Sequence, residues 1–254
     1  MNAVNAISIT VVAFVCVFTS ALCGIRLRLR LPPEHLSEES KDILKLSLGL
    51  VSTMAALILG LLVSSSREFF DTQSAEVTQV SVQVIWLDRT LALYGPETKE
   101  TREALRANVA SALDQIWSEG RAPGSDWDVQ VARPEHTYDL IQRLQPKNDA
   151  QRAMRDQALT AVTTLGHTRW LMYQQLVTPI PQALVVVLVA WLSVTFLGFG
   201  VFAPSNATTI GSLFVAALSV SGALLLILEM HSPYQGLIRV SSEPLRAALE
   251  QLGR

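Results

Sequence analysis

Between Trp170 and Leu228 the chain runs for 59 residues without an Asp, Glu, Lys or Arg. A tract that long is what a bilayer demands. One spanning helix needs about 20 mostly apolar residues to cross roughly 30 Å of hydrocarbon, so the tract holds two spans and a turn. A second uncharged tract covers Met1 to Ile25. The rest of the composition agrees. Charged residues make up 17% of the chain and hydrophobic ones 50%, with a mean hydropathy of +0.33, whereas ordinary soluble domains are about 25% charged. Lys+Arg 20 against Asp+Glu 22 leaves a net charge of −2, which gives no electrostatic basis for nucleic-acid binding. The Gly, Cys and apolar fractions exclude a collagen, a disulfide-rich module and a disordered chain.

Four spans follow from the hydropathy: Ala3 to Gly24, Leu46 to Val63, Gln182 to Phe202 and Ile210 to Leu228. The link Ala203-Pro204-Ser205-Asn206-Ala207-Thr208 carries turn chemistry, so spans three and four are expected to form a hairpin. Lipid offers no partner to backbone amides and carbonyls, so each span is expected to be a helix. No Lys or Arg precedes the first apolar run, and a secretory signal normally has one there, so this span is read as uncleaved. Arg26, Arg28, Arg30, Lys41 and Lys45 flank the first loop, against Arg67, Arg169 and Arg239 on the other side. By the positive-inside rule that places the first loop in the cytoplasm and the central region outside.

From Arg67 to Arg169 the chain has 12 Lys/Arg and 15 Asp/Glu and reads as soluble helices. Phe70, Gln73, Val77, Val80, Val84, Leu87, Leu91 and Tyr94 recur at steps of three and four, the seam of helices packed along their length. No breaker separates span two from this seam, so spans two and three are expected to continue beyond the bilayer as a stalk. Gly95-Pro96 ends the run, and Pro96 suits the first turn of a helix carrying Leu105, Val109, Ala112 and Ile116 and ending at Glu119-Gly120. Arg121 to Arg133 reads as a loop, Glu135 to Leu144 as a third helix, and Lys147 to Val177 as a fourth, broken by Thr178-Pro179-Ile180-Pro181. The tail has Ser242 as N-cap and the stripe Leu245, Ala248, Leu249, Leu252, an amphipathic helix. The chain therefore reads as all-α, a four-helix transmembrane bundle with a long helical soluble insert between spans two and three. Its parts are 1–66 (spans one and two), 67–178 (stalk), 179–230 (hairpin) and 231–254 (tail).

No enzyme motif, cofactor motif or metal site is read from the chain. Gly198-Phe199-Gly200 lacks a third glycine and lies in an apolar run, so it is no dinucleotide loop. His35, His136, His167 and His231 lack ligand spacing. Cys16 and Cys23 are about 10 Å apart along one helix, too far for a disulfide. Three features carry functional readings. Ser52, Ala56, Gly60 and Ser64, with Gly49 and Thr53 alongside, form a small-residue stripe on span two that lets another backbone approach. Packing within one chain is the commoner reason for such a stripe; the functional reading is an oligomer axis or pore lining. Glu68 and Asp71, beside Arg67 at the exit of span two, are candidate charges at a pore mouth; a solvated helix surface with ion pairs is the plainer reading. Glu229 ends span four and is a candidate intramembrane ionisable group, although its place at the span end also lets it reach water.

Several blocks together resemble the bestrophin-like family of bacterial multi-pass membrane proteins. They are Gly60-Leu61-Leu62-Val63-Ser64 through Phe70-Asp71-Thr72-Gln73, Leu87-Asp88-Arg89, Tyr94-Gly95-Pro96-Glu97, Phe196-Leu197-Gly198-Phe199, Ala203-Pro204-Ser205-Asn206-Ala207, and Leu228-Glu229 with Pro233 to Ile238. The resemblance implies what holds for bestrophins proper: pentameric anion channels with four spans, a large helical cytosolic region between spans two and three, and a pore lined by span two. It puts the insert in the cytoplasm, opposite to the charge count, so sidedness stays open. The expected function is a homo-oligomeric ion-permeable pore in the plasma membrane, whose partners are lipid, further copies of the chain and ions. The alternative is a non-conducting scaffold or signalling protein whose helical insert binds a soluble partner.

Overall fold

The computed structural model describes residues 3–30, 32, 38–117, 134–177 and 182–253. Its elements are α1 (Ala3–Arg28), α2 (Glu38–Tyr94), a 3-10 turn (Pro96–Thr98), α3 (Lys99–Trp117), α4 (Pro134–Gln142), α5 (Asp149–Val177), α6 (Gln182–Phe202), α7 (Ala207–Met230) and α8 (Glu243–Gln251). No strand occurs among the described residues. Among the described residues, four helices are long and apolar enough to cross a membrane: Ala6–Arg28, Lys41–Tyr94, Ala183–Phe202 and Ala207–Met230. Three of them fall largely in the two uncharged tracts, and the much longer Lys41–Tyr94 contains the expected second span, Leu46 to Val63. The expected helix end at Glu119-Gly120, the loop at 121–133 and the break at 178–181 lie outside the described residues.

Helix ends differ from expectation where a side chain supplies the missing partner. The first span reaches Arg28 rather than Gly24, and the Arg28 guanidinium donates to the Ala203 carbonyl at 2.5 Å, just past the end of α6. A cation there satisfies an orphan carbonyl and opposes the negative end of the helix dipole. The fourth span starts early, at Ala207, because Asn206 caps it: its Oδ1 accepts from the Thr209 amide at 2.8 Å. Asn148 does the same for the Gln151 amide at 2.8 Å, so α5 begins at Asp149 rather than Lys147. Ser242 holds the N-cap position of α8 but makes no cap bond; the Ser241 hydroxyl accepts from the Glu243 amide at 3.2 Å instead. α2 ends at Tyr94, followed by Gly95, whose φ of 137° lies where a side chain is strained.

The chain divides into two compact units, Met1–Phe69 with Pro179–Ser232, and Phe70–Thr178 with Pro233–Arg254. In the first, α1 packs on α6 and α7. A Cβ at Gly24 would stand 2.1 Å from the Leu197 carbonyl oxygen, and one at Gly200 would stand 2.1 Å from that of Ala21. The two backbones touch, as small residues permit between membrane helices. Phe14 stacks on Phe18 with ring centroids 5.8 Å apart, and both meet the edge of Phe214 at 5.4 Å. Span hydroxyls turn back on their own helix, Thr10 to the Ala6 carbonyl and Thr195 to that of Trp191, both at 2.9 Å. This removes the cost of a polar hydrogen facing lipid.

The second unit has its own core. Val84, Leu87 and Leu91 of the α2 seam are buried with Leu105, Val109, Ile141, Ala158, Val162, Leu245 and Leu252, and each leucine so placed contributes about 1.5–3 kcal/mol. Asp88, its side chain 4% exposed, takes a bidentate pair from Arg102 at 2.7 and 2.8 Å, and the Gly253 amide adds a longer bond at 3.3 Å. Among these helices the packing leaves a cavity of about 120 Å³.

Candidate functional site

The membrane-spanning part of α2 has two unlike faces. Ala55, Leu62 and Ser66 are buried, the first two packed with Leu188 and Ile227. The small-residue stripe lies on the opposite side. Gly49, Ala56, Gly60 and Ser64 are exposed and Ser52 is half-buried; a Cβ on Gly49 or Gly60 would meet no atom within 4 Å. Among the described residues, this part of α2 packs through its other face. The Ser52 hydroxyl donates to the Leu48 carbonyl at 2.7 Å and the Thr53 hydroxyl to that of Gly49 at 2.8 Å. What remains on this face is a shallow strip offering hydroxyl oxygens as acceptors, flanked by the exposed Leu46, Leu50, Leu57 and Leu61.

Glu68 and Asp71 continue the same side of α2, four and seven residues beyond Ser64, and both are exposed. Arg67 and Asp71 are each engaged in an interaction. Glu229 behaves otherwise than a span-end residue free to reach water: it is 1% exposed. Its Oε1 accepts no hydrogen bond among the described residues, while the residue is engaged in a further interaction. Apolar burial of a carboxylate is costly, and α7 ends one residue later, at Met230.

Next in sequence, His231 lies flat on Phe69, with ring centroids 4.9 Å apart and an 8° interplanar angle. Burial holds its imidazole below the ordinary 6.5, opposed by a bond to the Ile227 backbone. The neutral ring is thus the form the fold accepts. Unfolded chains bind the proton more readily than the native state between the lowered folded value and 6.5, so stability falls as pH drops through that window. We expect the thermal midpoint of the wild type to decline more steeply between pH 7.5 and 5.5 than that of His231→Gln. Equal slopes would remove His231 from the pH response.

In the second unit a polar cluster closes among apolar neighbours. The fully buried Gln73 accepts from the Tyr234 hydroxyl at 3.0 Å and donates to Glu76 at 3.2 Å and to the Gln175 side-chain oxygen. Gln175 in turn donates to Glu76 at 2.9 Å. Burial, and after it the Glu76 charge, pushes the Tyr234 hydroxyl far up, keeping it a donor. Trp117 sets its ring edge against Tyr234 at 5.4 Å and donates to the Val240 carbonyl at 2.9 Å. A fully satisfied network of this kind fixes one packing arrangement. Periodicity alone leaves Glu76, Gln175 and Tyr234 unmarked; the usable signal is Gln73, a polar side chain at a seam position.

The structure does not gather these residues into one reaction centre. It leaves a small-residue strip with two carboxylates on one side of α2, and separately a buried glutamate and a half-buried histidine at the end of α7. Among the described residues, four apolar helices of spanning length and a helical unit rich in charge fit a helical membrane protein. The bestrophin-like domain matches residues 8–245, and the chain belongs to the bestrophin-like family. No curated protein and no solved structure matches it.

Proposed function

We propose that the protein forms a homo-oligomeric ion-permeable pore, with the Gly49–Ser64 strip of α2 turned to the symmetry axis and Glu68 and Asp71 near one mouth. The observation that carries this reading is the uncovered strip: the chain buries Ala55, Leu62 and Ser66 on α2 and leaves Gly49 and Gly60 with open space at the Cβ position. Small residues at an axis leave a channel open, and exposed carboxylates beyond it concentrate cations. Membership of the bestrophin-like family supports the assignment. Purified protein in liposomes is expected to pass ions, and Gly60→Leu, which puts a bulky side chain on the strip, to lower the flux at least tenfold. Absence of flux over a range of ions and pH, with protein verified as folded, contradicts the reading.

A second reading has one observation in its favour. On α2 within the second unit Val82, Trp86 and Leu93 are 61%, 56% and 71% exposed, more apolar surface than a solvated helix face needs. A scaffold that binds a soluble partner through its helical insert would use it. Trp86→Glu abolishing capture of a partner, with no effect on ion flux, would favour that reading over the pore.

A further inference from the structure

The cavity in the second unit is walled by Val80 and Val84 of α2, Val109 and Ala112 of α3, and Val162 and Leu165 of α5. Its polar neighbours are already committed. Asn108 donates to the Thr137 hydroxyl at 3.0 Å, Trp117 donates to the Val240 carbonyl at 2.9 Å, and Arg169, half-buried, is engaged. Water held inside a protein needs two to four polar partners, and an apolar void stays dry. The lining also includes Gly166, which sits well inside the 29-residue α5. A Cβ there would meet nothing within 4 Å. Glycine is the poorest helix former after proline, so the chain leaves the space open at a position where even alanine would suit the helix better.

We propose that this cavity binds a small uncharged apolar molecule, aromatic or alkyl. Three observations select that class. At about 120 Å³ the space approaches the engineered cavity of about 150 Å³ that takes benzene or xenon. Its wall is hydrocarbon, so affinity comes from removing apolar surface from water. Its hydrogen-bonding groups are already engaged, so a polar or charged ligand would lose its own hydration without replacement. The site is distinct from the α2 strip and does not depend on conduction.

Toluene is a suitable probe, titrated into the full-length protein in lipid nanodiscs with 5-fluorotryptophan in place of tryptophan. Trp117 borders the cavity, while Trp86 in the same unit is exposed and reports non-specific partitioning; Trp117→Phe assigns the resonance. The expected result is a saturable shift at Trp117 and only a linear drift at Trp86. Gly166→Leu and, separately, Ala112→Leu should weaken the saturable component at least tenfold. A linear response at Trp117 like that of Trp86 overturns the proposal, as does saturation unchanged in both folded variants. If neither variant folds, xenon-pressurised crystals of the wild type decide: a xenon site within the cavity supports the proposal, and an empty cavity overturns it.

Discussion

Arg102→Ala is expected to destabilise the protein by about 3–5 kcal/mol, because it strands a carboxylate the fold has taken out of water. Asp88 keeps only 4% of its side chain exposed, and Arg102 meets it with two parallel hydrogen bonds at 2.7 and 2.8 Å. The remaining bond, from the Gly253 amide, is longer at 3.3 Å and carries no full charge. Hydrogen bonding to Asp88 holds the guanidinium above its ordinary value, against the opposing effect of burial. Replacing both partners with leucine should recover most of the loss, since removing one charge alone creates the penalty. Thermal or denaturant unfolding of the full chain, wild type against single and double variants, checks this. A single variant as stable as the wild type would mean that water reaches Asp88.

Gly200→Leu should be more damaging still. A Cβ at position 200 would lie 2.1 Å from the Ala21 carbonyl oxygen and 3.0 Å from the Ile25 amide nitrogen. Both are backbone atoms of α1, so neither can swing aside as a side chain end can. α1 and α6 would have to separate along their most extensive contact, at a cost of about 3 kcal/mol or more, the upper range for overpacking. Gly198→Ala is the control. Its Cβ would meet Leu48 Cδ1 at 2.2 Å, the mobile end of a side chain, and about 1 kcal/mol is expected. The yield of monodisperse protein and its thermal midpoint should rank wild type, Gly198→Ala and Gly200→Leu in that order. Equal behaviour of the two variants would contradict backbone contact between α1 and α6.

What the sequence reveals here follows from the range of the forces involved. Uncharged length is a local property, so the four spans can be read directly from runs such as Ala183 to Phe202. The α2 seam is equally local, and Gln73, Val77, Val84, Leu87, Leu91 and Tyr94 are all buried, with Phe70 and Val80 half-buried. Helix ends depend on single partners. Asn206 is visible as turn chemistry, but Arg28 reaching the Ala203 carbonyl joins residues 175 apart in sequence, and no local pattern announces that. Gly200 shows the limit most plainly. A Gly-x-Gly pair in an apolar run can be dismissed as a nucleotide loop, yet its use against Ala21 appears only when two helices are brought together. Glu229 is conspicuous after an uncharged tract, but whether it reaches water depends on what covers the end of α7. The small-residue strip is the reverse case. Its spacing is plain in the sequence, and the structure adds that, among the described residues, nothing lies within 4 Å of a Cβ built at Gly49 or Gly60.

The most direct measurement is the stoichiometry and symmetry of the purified particle, imaged in lipid nanodiscs. We expect a cyclic oligomer whose axis runs beside α2, with Gly60 and Ala56 nearer to it than Ala55 and Leu62. A monomeric particle, or an axis lined by α1, α6 or α7 with the strip facing lipid, would contradict the pore.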